Sequence, residues 1–368
     1  MKYSDLEEIS DAKEMISPPG DTLAETIEFK GISQTELATR MNRPVKTINE
    51  IIKGKAAITS ETAIQLEHVL GIEAKFWLER EKNYRLELAE IEEAETLLKN
   101  NEWLNSFPLK EMKKLQWLDF ENNAVSRGNA LLVFFGVANF TAYTETYFKT
   151  VYASAYRMST SNQKNPYAVS AWLRQGEHQA DRLTAQPYNE AQFKTVLEEM
   201  KRVMIEQPVD FFAKIQIQCL QAGVKVVHTP NLPQTNLHGS TRWLNDTPLI
   251  QLSNMFKRND SFWFTFFHEA GHIILHGKRD VFVEGFEYSP EEQIKEEEAN
   301  EFAKKIMLNK KDEEMIKQNL PLDKNKIENF ATQFNTHPAV IVGRLARENE
   351  NLHKLGWHFK YYQKIDLT

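Results

Sequence analysis

The sequence predicts a mainly α protein with one small β-sheet, an α+β chain built in three parts. Three observations carry that expectation. Residues 33–55 hold two short amphipathic helices around an Asn-Arg-Pro turn. Residues 78–99 run without glycine or proline and are rich in helix-forming charged residues. Residues 222–276 hold two strand-like runs, then an apolar helix with histidines four apart.

At 368 residues and 41% hydrophobic, the chain exceeds one average domain and has ample material for a core. It carries 45 basic against 52 acidic residues, a net charge of −7. That excludes a generally basic nucleic-acid coat, but not a small basic patch. A single cysteine, Cys219, excludes a disulfide framework and fits a reducing compartment. The opening MKYSDLEEISDAKEM lacks the apolar core of a secretory signal, and no apolar run approaches ~20 residues. The expectation is a soluble, cytoplasmic protein with no membrane contact. Its parts read as a flexible arm over 1–16, a helical domain over 17–77, a connecting helix and helical region over 78–205, and a third domain over 206–368.

In the first domain, Ser33 is placed to cap a helix, with Glu36 three positions on to complete a capping box. Leu37, Ala38 and Met41 form its inward face. Asn42-Arg43-Pro44 turns the chain, with Pro44 suited to the first position of the next helix, where no N–H is needed. Ile48, Ile51 and Ile52 make that second helix amphipathic, and Gly54 ends it. Two short helices around such a turn form a helix-turn-helix, the supersecondary unit that lays its second helix in the major groove. The outward face offers Val45, Lys46, Thr47, Asn49 and Glu50. Lys46 and Asn49 carry the donors that base edges accept. Arg40, Arg43, Lys46, Lys53 and Lys55 stand against Glu50 alone over 40–55, as phosphate contacts require. Gln34 is placed to brace the reading helix on a phosphate.

The middle region is helical, anchored by Trp103, Phe107, Trp117 and Trp172, with a polar break near 158–167. It carries no chemistry of its own. Beyond Pro208, residues 222–229 and 247–253 read as strands and 261–276 and 291–307 as helices.

The helix FWFTFFHEAGHIILHG (262–277) carries the chemistry. His268 and His272 lie about 40° apart around it, so both imidazoles reach one tetrahedral metal. Glu269 falls on the same arc, where a carboxylate can take a proton from water attacking a carbonyl. Phe262, Phe266, Phe267, Ile273 and Leu275 predict a buried, dry setting. A third ligand must come from elsewhere. On the next helix Glu296 shares a face with Asn300, which makes Glu296 the chosen ligand, Asn300 the residue orienting a ligating histidine, and Glu298 the alternative ligand. His276, one more step along the helix, hydrogen-bonds a carboxylate behind the site, contacts substrate, or simply favours the helix end. His238 and Arg242 precede a strand that could pair with an extended peptide, with Arg242 a candidate oxyanion stabiliser and a structural ion pair its rival role.

Residues 18–87, through PPGDTLAE (18–25), GKAAITSETAIQLEHVLG (54–71) and FWLEREKNYRLE (76–87), resemble the XRE-type helix-turn-helix of HigA-like antitoxins. Pro44 stands where that group commonly has serine. The resemblance implies a dimer on an inverted-repeat operator. From about 205 onward the chain resembles the ImmA/IrrE metallopeptidases, through GSTRWL (239–244), LIQLS (249–253), the histidine helix, EEEANEFA (296–303) and VIVGRL (340–345). AWLRQGE (171–177) resembles their preceding helix, and IMLNK (306–310) departs from their proline-containing helix end. This implies a zincin-like fold, one Zn2+ per chain on His268, His272 and Glu296 in the gluzincin manner, and Glu269 as the catalytic residue. The combined expectation is a DNA-binding regulator with a zinc endopeptidase acting on a regulatory protein. The alternative is a non-catalytic antitoxin whose peptidase fold is a scaffold or a toxin-binding surface.

Overall fold

A computed structural model of the chain describes residues 3–151, 165–255, 258–278, 282–283, 290–348, 361–363 and 365. The polar break expected near 158–167 lies outside the described residues as far as 164. The chain divides into two compact units, Met1–Asn105 with Asp119–Leu131, and Ser106–Leu118 with Leu132–Thr368. The region 78–205 is thus shared between them.

The first unit holds α1 (Leu6–Met15), α2 (Pro19–Phe29), α3 (Gln34–Arg40), α4 (Val45–Ile52), α5 (Ser60–Leu70), α6 (Ala74–Lys99) and α7 (Asn101–Asn105). The expected flexible arm is corrected by α1. Asp5 caps it by accepting from the N–H groups of Glu7 and Glu8, and Ile9 is buried. A single apolar position per turn had not marked it as a helix. The core gathers Leu23, Leu37, Ile48, Ile51, Leu66 and Trp77. Gly20 is required there, because a Cβ would lie 2.2 Å from the carbonyl oxygen of Ile52. Buried Glu81 of α6 accepts from the Ile58 N–H at 3.0 Å and pairs with Arg85, which ties the long helix to the domain.

α8 (Leu109–Lys114) belongs to the second unit, while α9 (Ala124–Phe135) begins in the first and ends in the second. Then follow α10 (Phe140–Tyr143), continuing as a π-helical stretch over Thr144–Val151, and α11 (Pro166–Asp181), α12 (Glu190–Glu206) and α13 (Phe211–Gln221). The sheet is built from β1 (Lys225–His228), β2 (Gly239–Leu244), β3 (Thr247–Leu252) and β4 (Phe282–Val283), in the order β1-β3-β2-β4. β1 runs parallel to β3; β2 is antiparallel to both β3 and β4. The chain continues through α14 (Asn259–His276), α15 (Pro290–Met307), α16 (Lys310–Lys317), α17 (Lys324–Gln333) and α18 (Pro338–Glu348).

The run 247–253, expected to offer an edge to a peptide, is the inner strand β3, paired on both sides. Leu244 pairs with Thr247, so the β2–β3 hairpin turns on Asn245-Asp246. Asn245 takes the left-handed φ of +57° that asparagine tolerates. Strand alternation sorts the two faces. Val226, Ile250 and Leu252 join Phe262, Trp263, Phe266 and Phe267 in the main core, while Val227 and Leu249 pack on Ala180 of α11. Gly176 brings α11 down onto this second face, since a Cβ would lie 2.1 Å from the Gln251 side chain.

Candidate metal centre and DNA-reading helix

In α14 the core residues on one side fix the rotation of the helix. Phe262, Phe266, Phe267 and Ile273 are buried as expected, whereas Leu275 is exposed, because the last turn emerges from the core. His268, Glu269 and His272 are buried. α15 packs across α14, and Gly271 allows it: a Cβ there would lie 3.1–3.3 Å from Phe302 and Ala299.

This packing brings Glu296 to the two histidines. His268 Nε2 lies 3.1 Å from His272 Nε2 and 3.2 Å from Glu296 Oε2, and His272 Nε2 lies 3.4 Å from Glu296 Oε1. A tetrahedral zinc with bonds of ~2.0–2.1 Å separates its ligands by roughly 3.3 Å. The three donors already stand at the edges of such a tetrahedron, and they are the one group of this kind among the described residues. Their protonation suits a cation. Burial lowers His272 to about 4, against the opposing effect of its hydrogen bond to the Glu296 carboxylate, so its ring is neutral at neutral pH. Burial works to raise the Glu296 carboxyl, but hydrogen bonds from His268 and His272 outweigh it and hold the group down at about 2.

Behind the ligands, the Asn300 side-chain oxygen sits 3.1 Å from His268 Nδ1, where it accepts the ring N–H. His276 Nδ1 sits 3.0 Å from His272 Nδ1, and His276 Nε2 lies 3.0 Å from Glu298. Glu298 therefore stands behind the cluster and not in it. Glu269 is fully buried beneath β2, where Thr241 donates its hydroxyl to the Glu269 carboxylate at 2.7 Å. Gly239 makes room for that carboxylate, because a Cβ would lie 2.5 Å from its Oε1. Sequence reasoning missed both Thr241 and Gly239. Their signal was the alternation of GSTRWL, whose first and third residues share a face.

Arg242 is a correction. It follows Thr241, so it points to the opposite face, away from Glu269. There it is 2% exposed, donating to Gln251 at 2.9 Å and to the Leu173 carbonyl at 2.6 Å, with Glu177 at 3.7 Å. It is a structural ion pair and not an oxyanion donor. His238 does reach the site's side of the sheet, lining a cleft of about 1270 Å³ with Phe264, Thr265 and Asn300.

In the first unit, Ser33 caps α3 by accepting from the Glu36 N–H at 3.1 Å. The Glu36 carboxylate turns to Arg40 instead of closing the capping box. Pro44 occupies the cap of α4, one place before the expected first helical position. Ile48 and Ile51 seat α4 in the core, with Ile52 half-buried, so Val45, Lys46 and Lys53 face solvent and Thr47 and Asn49 lie half-buried. Asn49 donates to Gln34 at 3.5 Å, which ties the middle of α4 to the start of α3. Arg43, expected at DNA, is drawn into the domain by Glu61 at 3.1 Å and by Gln65 of α5.

Residues 28–77 match the helix-turn-helix family, and residues 219–346 match the IrrE N-terminal-like domain of the M78 peptidases. Over 72 residues the chain is 35% identical to the uncharacterized HTH-type transcriptional regulator YddM of Escherichia coli K12, spanning 20% of this chain and 77% of that protein. The chain belongs to the XRE-type helix-turn-helix family. This family member carries an M78 peptidase-family domain behind its DNA-binding type of motif. Among solved structures, it is similar to an addiction module antidote protein of the HigA family from Coxiella burnetii, at 28% identity and a TM-score of 0.22 over 23% of this chain and 92% of that one. It is also similar to PA4674 of Pseudomonas aeruginosa, solved with its 18 bp operator DNA, at 28% identity and a TM-score of 0.19 over 20% and 83%. Among the described residues, no helix is long and apolar enough to cross a membrane.

Proposed function

We propose that the chain is an operator-binding regulator whose second unit is a zinc-dependent endopeptidase acting on a regulatory partner protein. The observation that carries this reading is the tetrahedral spacing of His268, His272 and Glu296, with Glu269 on the same helix. His268, His272 and Glu296 would hold a zinc ion, which would supply Lewis acidity toward a water and a peptide carbonyl. Glu269 accepts the proton of the attacking water and delivers it to the leaving amine. Thr241 holds the Glu269 carboxylate in place meanwhile, and the apolar packing of α14 keeps bulk water from the charges. Asn300 fixes the His268 tautomer that leaves the Nε2 lone pair free for the metal.

In the first unit, Lys46 and Asn49 read base edges, while Lys53 and Gln34 contact phosphates. Two copies bind an inverted repeat, and fusion to the reader concentrates the peptidase near operator-bound proteins. Glu269→Gln tests the reading: it retains zinc and operator binding and loses partner cleavage by at least about 100-fold. Unchanged cleavage in that variant overturns it. If every function survives the substitution, the second unit serves as a scaffold in a non-catalytic antitoxin.

A further inference from the structure

The run Glu296-Glu297-Glu298 meets the histidine helix at two points. Glu296 joins the cluster itself, and Glu298 reaches His276 four residues beyond His272. Glu297 has a separate partner in Lys304, 3.8 Å away. The chain His272–His276–Glu298 is closed by two contacts of 3.0 Å, and the two rings are 5.1 Å apart, tilted by 52°.

Tautomers follow from this connectivity. A ring that ligates through Nε2 carries its proton on Nδ1. The facing atom, His276 Nδ1, must then be a lone pair, which leaves the His276 proton on Nε2. Glu298 accepts that proton, because a carboxylate is an acceptor only. One surface carboxylate thereby dictates the state of two rings in series. The geometry also separates the two ends. The His276 side chain is 4% exposed and Glu298 is 56% exposed, so the relay runs from the buried cluster to solvent.

We propose that His276 and Glu298 are positioning residues that lock the ligating tautomer of His272 and set the zinc affinity of the centre, an inference that rests on the metal-centre reading above. His268 receives the same service directly from Asn300, at 3.1 Å. At His272 the support passes through a second ring and ends on the exposed Glu298, so it can be weakened from the surface.

The test is zinc affinity of the full chain at pH 7, by competition with a chromogenic chelator, with the visible absorption of bound cobalt as a second readout. His276→Leu is expected to weaken zinc binding by about 10- to 100-fold and to alter the cobalt spectrum. Glu298→Gln weakens it less, in the same direction. His276→Asn restores most of the affinity, because its side-chain oxygen accepts from Nδ1–H where the ring nitrogen did. Melting of the metal-free protein stays put for Glu298→Gln, which separates positioning from a fold defect. Wild-type affinity in both His276→Leu and Glu298→Gln overturns the relay. If His276→Leu does not fold, Glu298→Gln decides, since it alters only a surface side chain. If the wild type takes up no zinc, the metal-centre reading itself fails and the relay falls with it.

Discussion

The reading helix and the histidine helix are both set by their buried faces, yet they expose opposite chemistry. α4 buries Ile48 and Ile51 and leaves Lys46 and Lys53 in water. α14 buries its functional residues along with its core, so His268, Glu269 and His272 are almost wholly out of solvent. A surface that must meet a polyanion needs long, solvated, movable cations, whose contribution is screened by salt. A cluster that must bind a cation and move protons needs fixed distances and low dielectric. The lesson is that side chains in the second unit are over-determined by neighbours, and those on α4 are not.

The largest expected effect lies in the scaffold of the second unit. Arg242→Met removes the donor to the Gln251 side-chain oxygen and to the Leu173 carbonyl in the buried layer between α11 and the sheet, while Glu177 keeps Arg174 at 2.7 Å. It should lower the stability of that unit by about 3–5 kcal/mol, read by denaturant melts, with operator affinity unchanged. Equal loss of operator binding would break the contrast between the units.

Acid comes next. His272 has a folded value of about 4 against 6.5 for a free histidine. Between those values the unfolded chain binds more protons than the folded one, so stability is complete above pH 6.5 and is lost as pH falls toward 4. Glu296, held low, acts in the same direction at lower pH. For His272 alone the loss is about 3 kcal/mol in metal-free protein, visible as a falling melting temperature of the second unit. A flat profile across that window would contradict the burial argument.

On the reading helix, Lys46→Ala with Asn49→Ala should weaken operator binding by about 10- to 100-fold and reduce the salt slope by about 1. Arg43→Ala, already tied to Glu61, should change the slope far less. The smallest effect is Ser33→Ala, which removes the α3 cap at a cost of about 1 kcal/mol in the first unit.

The parts legible in sequence were those with local periodicity. The histidine spacing of four, the shared face of Glu296 and Asn300, and the Ile48–Ile51 stripe each follow from 3.6 residues per turn, and each is where that period puts it. What escaped depended on long-range pairing. β2 opens on glycine and serine and so carries only a weak strand signal, yet its alternation decides that Thr241 meets Glu269 and Arg242 does not. α1 was hidden because one buried isoleucine suffices when a neighbouring helix supplies the rest of the apolar contact. Arg43 looked available to DNA because Glu61 and Gln65, far along the chain, could not be weighed against it.

The most direct test of the central claim is metal content by mass spectrometry on purified protein, wild type beside His268→Ala and Glu296→Ala. The account predicts about one zinc per chain in the wild type, lost in both variants, with operator binding intact in all three. Wild-type protein that holds no zinc after supplementation, or a Glu296→Ala variant that retains it in full, would contradict the assigned centre.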